Sequence, residues 1–124
     1  MPVALLTQVA ALLQQHADAA IATLSAPVAS LEAFLDPNVV KVVTDQGGRA
    51  LYFSRAPIPW CRDAAPGGLS SQREYRLARR HIGLYAYRVA ALQRLAALPS
   101  GELEDCEKLE QLRALQAGME IRGG

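Results

Sequence analysis

The residues of this sequence best suited to chemistry lie on one predicted strand, within the segment 80–88. Side chains alternate between the two faces of a strand, so one face carries His81, Gly83, Tyr85 and Tyr87. The other face is apolar and carries Ile82, Leu84 and Ala86. Because glycine has no side chain, Gly83 leaves open space between an imidazole and a phenol. This face is therefore predicted to be a floor on which a polar ligand could lie.

A second candidate group is the guanidinium of Arg55, at the end of another predicted strand. Leu51, Phe53 and Arg55 are predicted to share one face of that strand. Two prolines in the following segment, 56–60, hold the chain extended and fix the direction of the arginine. A rigidly mounted guanidinium suits a carboxylate or a phosphate, although a surface ion pair is the commoner role for a single arginine.

The third group lies on a helix predicted over residues 103–117. Glu110 falls at the margin of its leucine stripe, where a carboxylate needs a partner, and Gln111 follows it. Glu104 and Lys108, four residues apart, are interpreted as an exposed ion pair. Taken singly, these polar residues are more often packing or surface residues. Taken together, an arginine for a carboxylate and several groups for hydroxyls predict a polyol-acid site, made of Arg55, His81, Tyr85, Glu110 and Gln111.

Hydrophobic periodicity predicts the elements that must position these side chains. Helices are predicted over 3 to about 16, 31–35, 89–98 and 103–117. Strands are predicted over 19–24, 39–43, 49–54 and 81–87, and a further one begins at 119–122. A glycine-containing turn at 45–48 makes the second and third strands a β-hairpin. The long segment 61–78 is predicted to be a loop that closes over a ligand or contacts a partner subunit.

The composition narrows the class of protein. With 124 residues, 51% of them hydrophobic, the whole of 1–124 is expected to form a single domain. A net charge of +1 gives no overall field to attract nucleic acid or an anionic membrane surface. No apolar run is long enough to span a membrane, and the first residues lack the pattern of a signal peptide. Cys61 and Cys106 fit neither a disulfide framework nor a zinc site, so a soluble cytoplasmic protein is expected.

Four segments in order carry a family resemblance. Residues 38–43, 50–60, 80–88 and 107–113 read NVVKVV, ALYFSRAPIPW, RHIGLYAYR and EKLEQLR. In these segments the chain closely resembles the 3-deoxy-manno-octulosonate (Kdo) cytidylyltransferases, or CMP-Kdo synthetases. The resemblance implies an α/β protein, part of a three-layer, Rossmann-like fold of the nucleotide-diphospho-sugar transferase type with a β-hairpin. It also implies a homodimer in the full-length family.

The resemblance implies a reaction as well. CTP and Kdo would give CMP-Kdo and pyrophosphate for lipopolysaccharide synthesis, with Mg²⁺ as cofactor. Carried over by motif, the Kdo-binding residues would be Arg55, His81, Tyr85, Glu110 and Gln111.

The sequence also departs from the family pattern. No glycine-rich phosphate loop and no pair of carboxylates for magnesium occurs in it. In the family, an arginine- and lysine-containing phosphate loop and one metal-binding aspartate would lie before Met1, and a second metal-binding aspartate would lie after Gly124, so the magnesium ligands are expected outside this chain. The expectation is an incomplete cytidylyltransferase domain that is inactive alone. Two alternatives stay open: a non-catalytic remnant that binds sugar acid or another subunit, and a cytidylyltransferase for a different keto acid.

Overall fold

The computed structural model describes residues 3–64, 67–68 and 73–124. The helices are α1 (Val3–Gln15), α2 (Leu31–Leu35), α3 (Val89–Ala97), α4 (Glu102–Glu107) and α5 (Gln111–Gln116). The strands are β1 (Ile21–Pro27), β2 (Lys41–Thr44), β3 (Ala50–Ser54), β4 (Arg79–Tyr87) and β5 (Ile121–Gly123). A 3-10 turn covers Arg62–Ala64. No helix in the described part of the chain is long and apolar enough to cross a membrane.

The strands form one mixed sheet in the order β3-β2-β4-β1-β5. β1 and β5 are parallel, and the other neighbouring strands are antiparallel. β2 and β3 form the predicted hairpin, with Gly48 in its turn at a φ of 89°. The Gly123 N–H donates to the Gly48 carbonyl at 2.7 Å, which brings the hairpin turn against β5. The two outer strands of the sheet therefore approach each other at this turn.

Helices cover both faces of the sheet, as the three-layer prediction requires. On one face, α1 packs Val9 and Leu13 against Ala22 and Leu24 of β1. On the other face, Leu112 of α5 belongs to a core whose buried members also include Ile21, Val42, Phe53, Met119 and Ile121. Ile21 and Ala22 are neighbours in sequence and point into opposite cores, because successive strand side chains alternate.

An irregularity in β4 preserves the predicted division of its faces. Ile82 pairs with Leu24 and Tyr85 pairs with Thr23, so Gly83 and Leu84 are extra residues without partners on β1. An insertion of two residues keeps the alternation of side chains, whereas an insertion of one would reverse it. The prediction is confirmed, because the apolar face packs against the α1 core through Ile82, Leu84 and Ala86.

The single helix predicted over 103–117 is wrong. The chain forms α4 and α5 instead, and Lys108 between them has a left-handed conformation, with φ 57° and ψ 46°. Leucines that recur every third residue would drift around a continuous helix and leave the core. The turn at Lys108 resets the direction of the chain, so that both Leu109 and Leu112 are buried.

The exposed ion pair predicted between Glu104 and Lys108 is also wrong. Glu104 is buried, with 7% of its surface exposed, and its two carboxylate oxygens each accept a hydrogen bond of 2.7 Å from Arg113. These hydrogen bonds hold the pKa of Glu104 below its ordinary value. Because α4 ends at Glu107, the four-residue spacing no longer places Lys108 on the same helical face. The bidentate pair instead joins α4 to α5.

A bulge in the hairpin corrects another expectation. Val43 pairs with Tyr52 and Thr44 pairs with Ala50, which leaves Leu51 unpaired. One extra residue reverses the alternation at that point. Leu51 is therefore 56% exposed while Phe53 is fully buried, and the predicted shared face is wrong. The predicted loop over 61–78 contains the 3-10 turn, but its residues 65–66 and 69–72 lie outside the described residues.

The left-handed conformation of Lys108 is expected to reduce the stability of the fold. A side chain in this conformation costs roughly 1–2 kcal/mol, whereas glycine adopts it freely. We expect Lys108→Gly to raise the free energy of unfolding by about 1 kcal/mol, after the greater backbone entropy of unfolded glycine is subtracted. Urea denaturation of the purified chain measures this. Lys108→Ala is the control, because it removes the ammonium group and keeps the strained Cβ. Equal stabilities of the two variants would contradict the prediction.

Candidate functional site

A cavity of about 270 Å³ lies where the turn between α4 and α5 faces β4. Three of the five predicted site residues line it: Tyr85, Glu110 and Gln111. Its other polar lining residues are Tyr87 and Lys108, and its apolar wall is formed by Ile21, Leu95, Leu109, Ala114 and Ile121. The structure thus brings side chains from a strand and a distant helix to one concave surface, as a site for a small polar molecule requires.

His81 adjoins the cavity through a row of aromatic rings. Its imidazole centroid lies 5.4 Å from the ring of Tyr85, which in turn lies 5.6 Å from the ring of Tyr87. On the other side, Phe53 meets the imidazole edge to face at 4.9 Å. A Cβ built at Gly83 would meet no atom within 4 Å. The predicted open space above this residue is therefore present.

Burial favours the uncharged forms of His81, Tyr85 and Tyr87 on β4. Burial lowers the pKa of His81 to about 4, so its imidazole is neutral at neutral pH. Burial also raises the pKa of Tyr85 and of Tyr87, and the negative charge of Glu110 adds to the effect on both. Both phenols consequently keep their protons and can donate hydrogen bonds to a ligand.

Glu110 supplies a negative charge at the rim of the cavity. Its side chain is exposed, and it forms no hydrogen bond within the residues that the structure describes. The expectation that it needs a protein partner is wrong, because water can solvate an exposed carboxylate. Glu110 is therefore available to accept hydrogen bonds from hydroxyl groups of a ligand.

Arg55 lies beside the cavity and is anchored by backbone carbonyls. Its Nε donates to the carbonyl of Glu107 at 2.6 Å, Nη1 to that of Pro37 at 3.0 Å and Nη2 to that of Lys108 at 3.2 Å. A guanidinium has five N–H groups, so these three bonds leave one N–H on each terminal nitrogen. Arg55 forms no ion pair in the described ranges, and its rigid mounting suits a carboxylate.

The carboxylate of Glu107 ties the end of β3 to α4. It accepts hydrogen bonds of 2.8 Å from the Tyr52 hydroxyl, the Ser54 hydroxyl and the backbone N–H of Arg55. Burial alone would raise the pKa of Glu107, but these donors outweigh burial and lower it. Burial and the bond to Glu107 raise the pKa of Tyr52 to about 12. Glu107 thus holds Arg55 at its backbone, while its own carbonyl holds the guanidinium.

A buried cation underlies this arrangement. Lys41 has no exposed surface, and its ammonium group donates to the carbonyls of Asp36, at 2.9 Å, and Val39. Burial lowers the pKa of Lys41, while the charges of Asp36 and Glu107 act in the opposite direction. The ammonium group of Lys41 is therefore held by backbone carbonyls, and the charges of Asp36 and Glu107 partly offset the cost of burying it.

Sequence reasoning missed Glu107, which contacts Arg55, Thr23, which contacts His81, and the buried Lys41. Thr23 contacts His81 through its hydroxyl at 2.8 Å, across 58 positions of the chain. No local pattern could indicate that contact. One indication of Glu107 was present in the sequence, because its carboxylate lies on the same side of the leucine stripe as that of Glu104. Its hydrogen-bond partners at the end of β3, however, lie more than 50 residues away in sequence.

The described residues contain no cluster of side chains of the kind that would hold a metal ion by itself. No group of three His, Cys, Asp or Glu side chains in the ranges 3–64, 67–68 and 73–124 could hold a metal ion. The acidic residues of the site are either hydrogen-bonded, as Glu107 is, or single at the rim, as Glu110 is.

Known proteins resemble this chain over nearly its whole length. A family described as Cytidylyltransferase matches residues 2–121. The chain is 54% identical over 121 residues to the 3-deoxy-manno-octulosonate cytidylyltransferase of Thioalkalivibrio sulfidiphilus, and the match covers 98% of this chain and 48% of that protein. The enzyme of the same name from Xanthomonas euvesicatoria pv. vesicatoria is 55% identical over 113 residues, which are 88% of this chain and 42% of that protein. The chain thus spans about half the length of the curated relatives it matches.

A solved structure gives the same result for the fold. CMP:2-keto-3-deoxy-manno-octonic acid synthetase complexed with CTP superposes with a TM-score of 0.78 at 35% sequence identity, over 96% of this chain and 45% of that one. The predicted α/β, Rossmann-like fold is confirmed by this match and by the mixed sheet between helices.

The low pKa of His81 makes stability depend on pH. His81 takes up a proton near pH 6.5 when unfolded but only near pH 4 when folded, so protonation favours the unfolded chain between these values. The folded state should therefore lose stability as the pH falls from 6.5 to 4. Between pH 7 and pH 5 we expect His81 to account for a loss of about 2 kcal/mol.

Urea denaturation at the two pH values measures this loss. The variant His81→Gln keeps a polar side chain that does not titrate, so its stability should fall by about 2 kcal/mol less over the same interval. Parallel losses in the wild-type chain and the variant would show that His81 does not titrate as proposed.

Proposed function

This chain belongs to the cytidylyltransferase family, and from this membership we propose that it forms the sugar-acid-binding part of a 3-deoxy-manno-octulosonate cytidylyltransferase. The proposal rests on two kinds of support. Relatives that are 54% and 55% identical carry that name, and the residues predicted to bind Kdo surround or adjoin one cavity. Because the chain covers about half of each relative, the activity is proposed for the protein that contains both halves.

The proposed reaction is a nucleotidyl transfer. The anomeric hydroxyl oxygen of Kdo attacks the α-phosphorus of CTP, the bond from that phosphorus to the pyrophosphate oxygen breaks, and the hydroxyl proton is released. Magnesium, when bound, would offset the negative charge on the phosphate oxygens, and we expect its ligands outside the described residues. The proposal also includes a role in lipopolysaccharide synthesis, a cytoplasmic location and a homodimer.

The arrangement around Arg55 is the observation that supports Kdo as the substrate. Kdo combines one carboxylate with several hydroxyl groups, so its site needs one fixed cation and several hydrogen-bonding groups. Arg55 is fixed by three carbonyls and has two N–H groups left for a carboxylate. Glu110, Gln111 and Tyr85 line the neighbouring cavity and offer acceptors and donors for hydroxyls.

A second candidate is sugar-acid binding, or contact with another subunit, without catalysis by this chain. The observation that favours it is that the described residues contain the proposed sugar floor but no acidic cluster that could hold a metal ion. The two candidates share the same binding site. They differ in whether CTP and Kdo, supplied with magnesium, release pyrophosphate.

Arg55→Lys tests the proposed role of the guanidinium. Lysine cannot reach three carbonyls and also present two parallel N–H groups to a carboxylate, so we expect Kdo to bind about tenfold to a hundredfold more weakly. Isothermal titration calorimetry with Kdo measures the change in Kd. Arg94→Lys is the matched control, since Arg94 also donates to a backbone carbonyl, that of Ala117, but lies outside the cavity.

Three results would bear on the proposal. Equal Kd values for the wild-type chain and Arg55→Lys would contradict the role of Arg55. Absence of Kdo binding by the wild-type chain, or preference for N-acetylneuraminate over Kdo, would contradict the proposed substrate. A pyrophosphate-release assay with CTP, Kdo and magnesium separates the catalytic candidate from the binding candidate.

A further inference from the structure

Thr23 is a buried residue whose hydroxyl group lies next to Nε2 of the His81 ring. It lies on β1 with 1% of its surface exposed. Its Oγ1 is 2.8 Å from Nε2 of His81, 2.8 Å from the carbonyl oxygen of Leu84 and 3.2 Å from that of Ile82. The two extra residues in β4, described above, let both carbonyls reach this one hydroxyl.

The position of the hydroxyl proton follows from these distances. A threonine hydroxyl has a single proton, and a carbonyl oxygen can only accept. If Thr23 donated to His81, its oxygen would face the Leu84 carbonyl at 2.8 Å with no proton between them, which is repulsive. The proton therefore points to the carbonyls, and Oγ1 offers a lone pair to the imidazole. Nε2 of His81 must carry a proton and donate it to Thr23.

The other ring nitrogen is consequently an acceptor. His81 packs against Phe53 and Tyr85, and within the described residues no carboxylate contacts the ring to stabilise a positive charge. A neutral imidazole with its proton on Nε2 has a lone pair on Nδ1. No described residue forms a hydrogen bond with Nδ1. The ring thus presents an unoccupied acceptor beside the ring of Tyr85.

We propose that Thr23 is a positioning residue that fixes His81 as the Nε2-protonated tautomer, so that Nδ1 accepts a hydrogen bond from a hydroxyl of the sugar acid. This inference rests on the proposed function for the identity of the ligand. In this arrangement, Arg55 binds the carboxylate of the sugar acid. The neutral imidazole of His81 accepts a hydrogen bond from one of the hydroxyl groups of the sugar acid. A ligand carbonyl or carboxylate would gain nothing from Nδ1, because both groups only accept.

Two substitutions at position 23 separate the hydroxyl from the shape of the side chain. Thr23→Val keeps the branched shape and removes the hydroxyl, whereas Thr23→Ser keeps the hydroxyl. Nitrogen-15 NMR of the ring nitrogens of His81 reports the tautomer directly and needs no ligand. The wild-type chain and Thr23→Ser should show a protonated Nε2 and an unprotonated Nδ1 at pH 7. Thr23→Val should show a mixture of the two tautomers.

Kdo binding supplies the second measurement. We expect Thr23→Val to bind Kdo about fivefold more weakly and Thr23→Ser to bind it within about twofold of the wild-type chain, the size expected for a misplaced hydrogen-bond acceptor. If the NMR spectrum of the wild-type chain shows a proton on Nδ1 of His81, or a charged His81 ring at pH 7, the inference is overturned. This holds even if Thr23→Val does not fold. Unchanged Kdo affinity in a folded Thr23→Val also overturns it. Failure of the wild-type chain to bind Kdo would instead count against the proposed function, since the NMR result does not depend on the ligand.

Discussion

The three hydrogen bonds accepted by the Glu107 carboxylate are the interaction on which the site depends. They join the end of β3 to α4 at 2.8 Å each, across more than 50 residues of sequence. A half-buried carboxylate is stabilised by such donors, and here they lower its pKa although partial burial acts in the opposite direction. The same residue holds the Arg55 guanidinium through its carbonyl. Without these hydrogen bonds, the guanidinium of Arg55 and the cavity would lie on two unconnected surfaces.

Two irregularities of the backbone give the site its shape. The left-handed turn at Lys108 ends α4, points the Lys108 carbonyl at Arg55 and places Glu110 and Gln111 at the cavity. The two-residue insertion in β4 brings two carbonyls to Thr23 and keeps His81 and Tyr85 on one face. Both features interrupt the regular backbone, and both occur at residues that position the proposed ligand contacts.

Local patterns predicted most of the elements but not their junctions. The hairpin, the helix over 31–35 and the two faces of β4 follow from alternation and turn residues, and all three are observed. A leucine at every third residue drifts around one continuous helix, but this drift does not indicate at which residue the helix breaks, so the break at Lys108 was not predicted. The bulge at Leu51 and the burial of Glu104 depend on tertiary partners. Of the five predicted site residues, Tyr85, Glu110 and Gln111 share the cavity, while His81 and Arg55 adjoin it through contacts that no spacing reveals.

The central claim is that Kdo lies between Arg55 and the cavity at the α4–α5 turn. Mapping of amide and side-chain NMR shifts during titration with Kdo tests it most directly. The account predicts that the largest changes occur at Arg55 Nε–H, His81 and Gln111. It predicts none at the separate cavity of about 300 Å³ lined by Arg88 and Arg94. Changes centred on that second cavity, with Arg55 unaffected, would contradict the account.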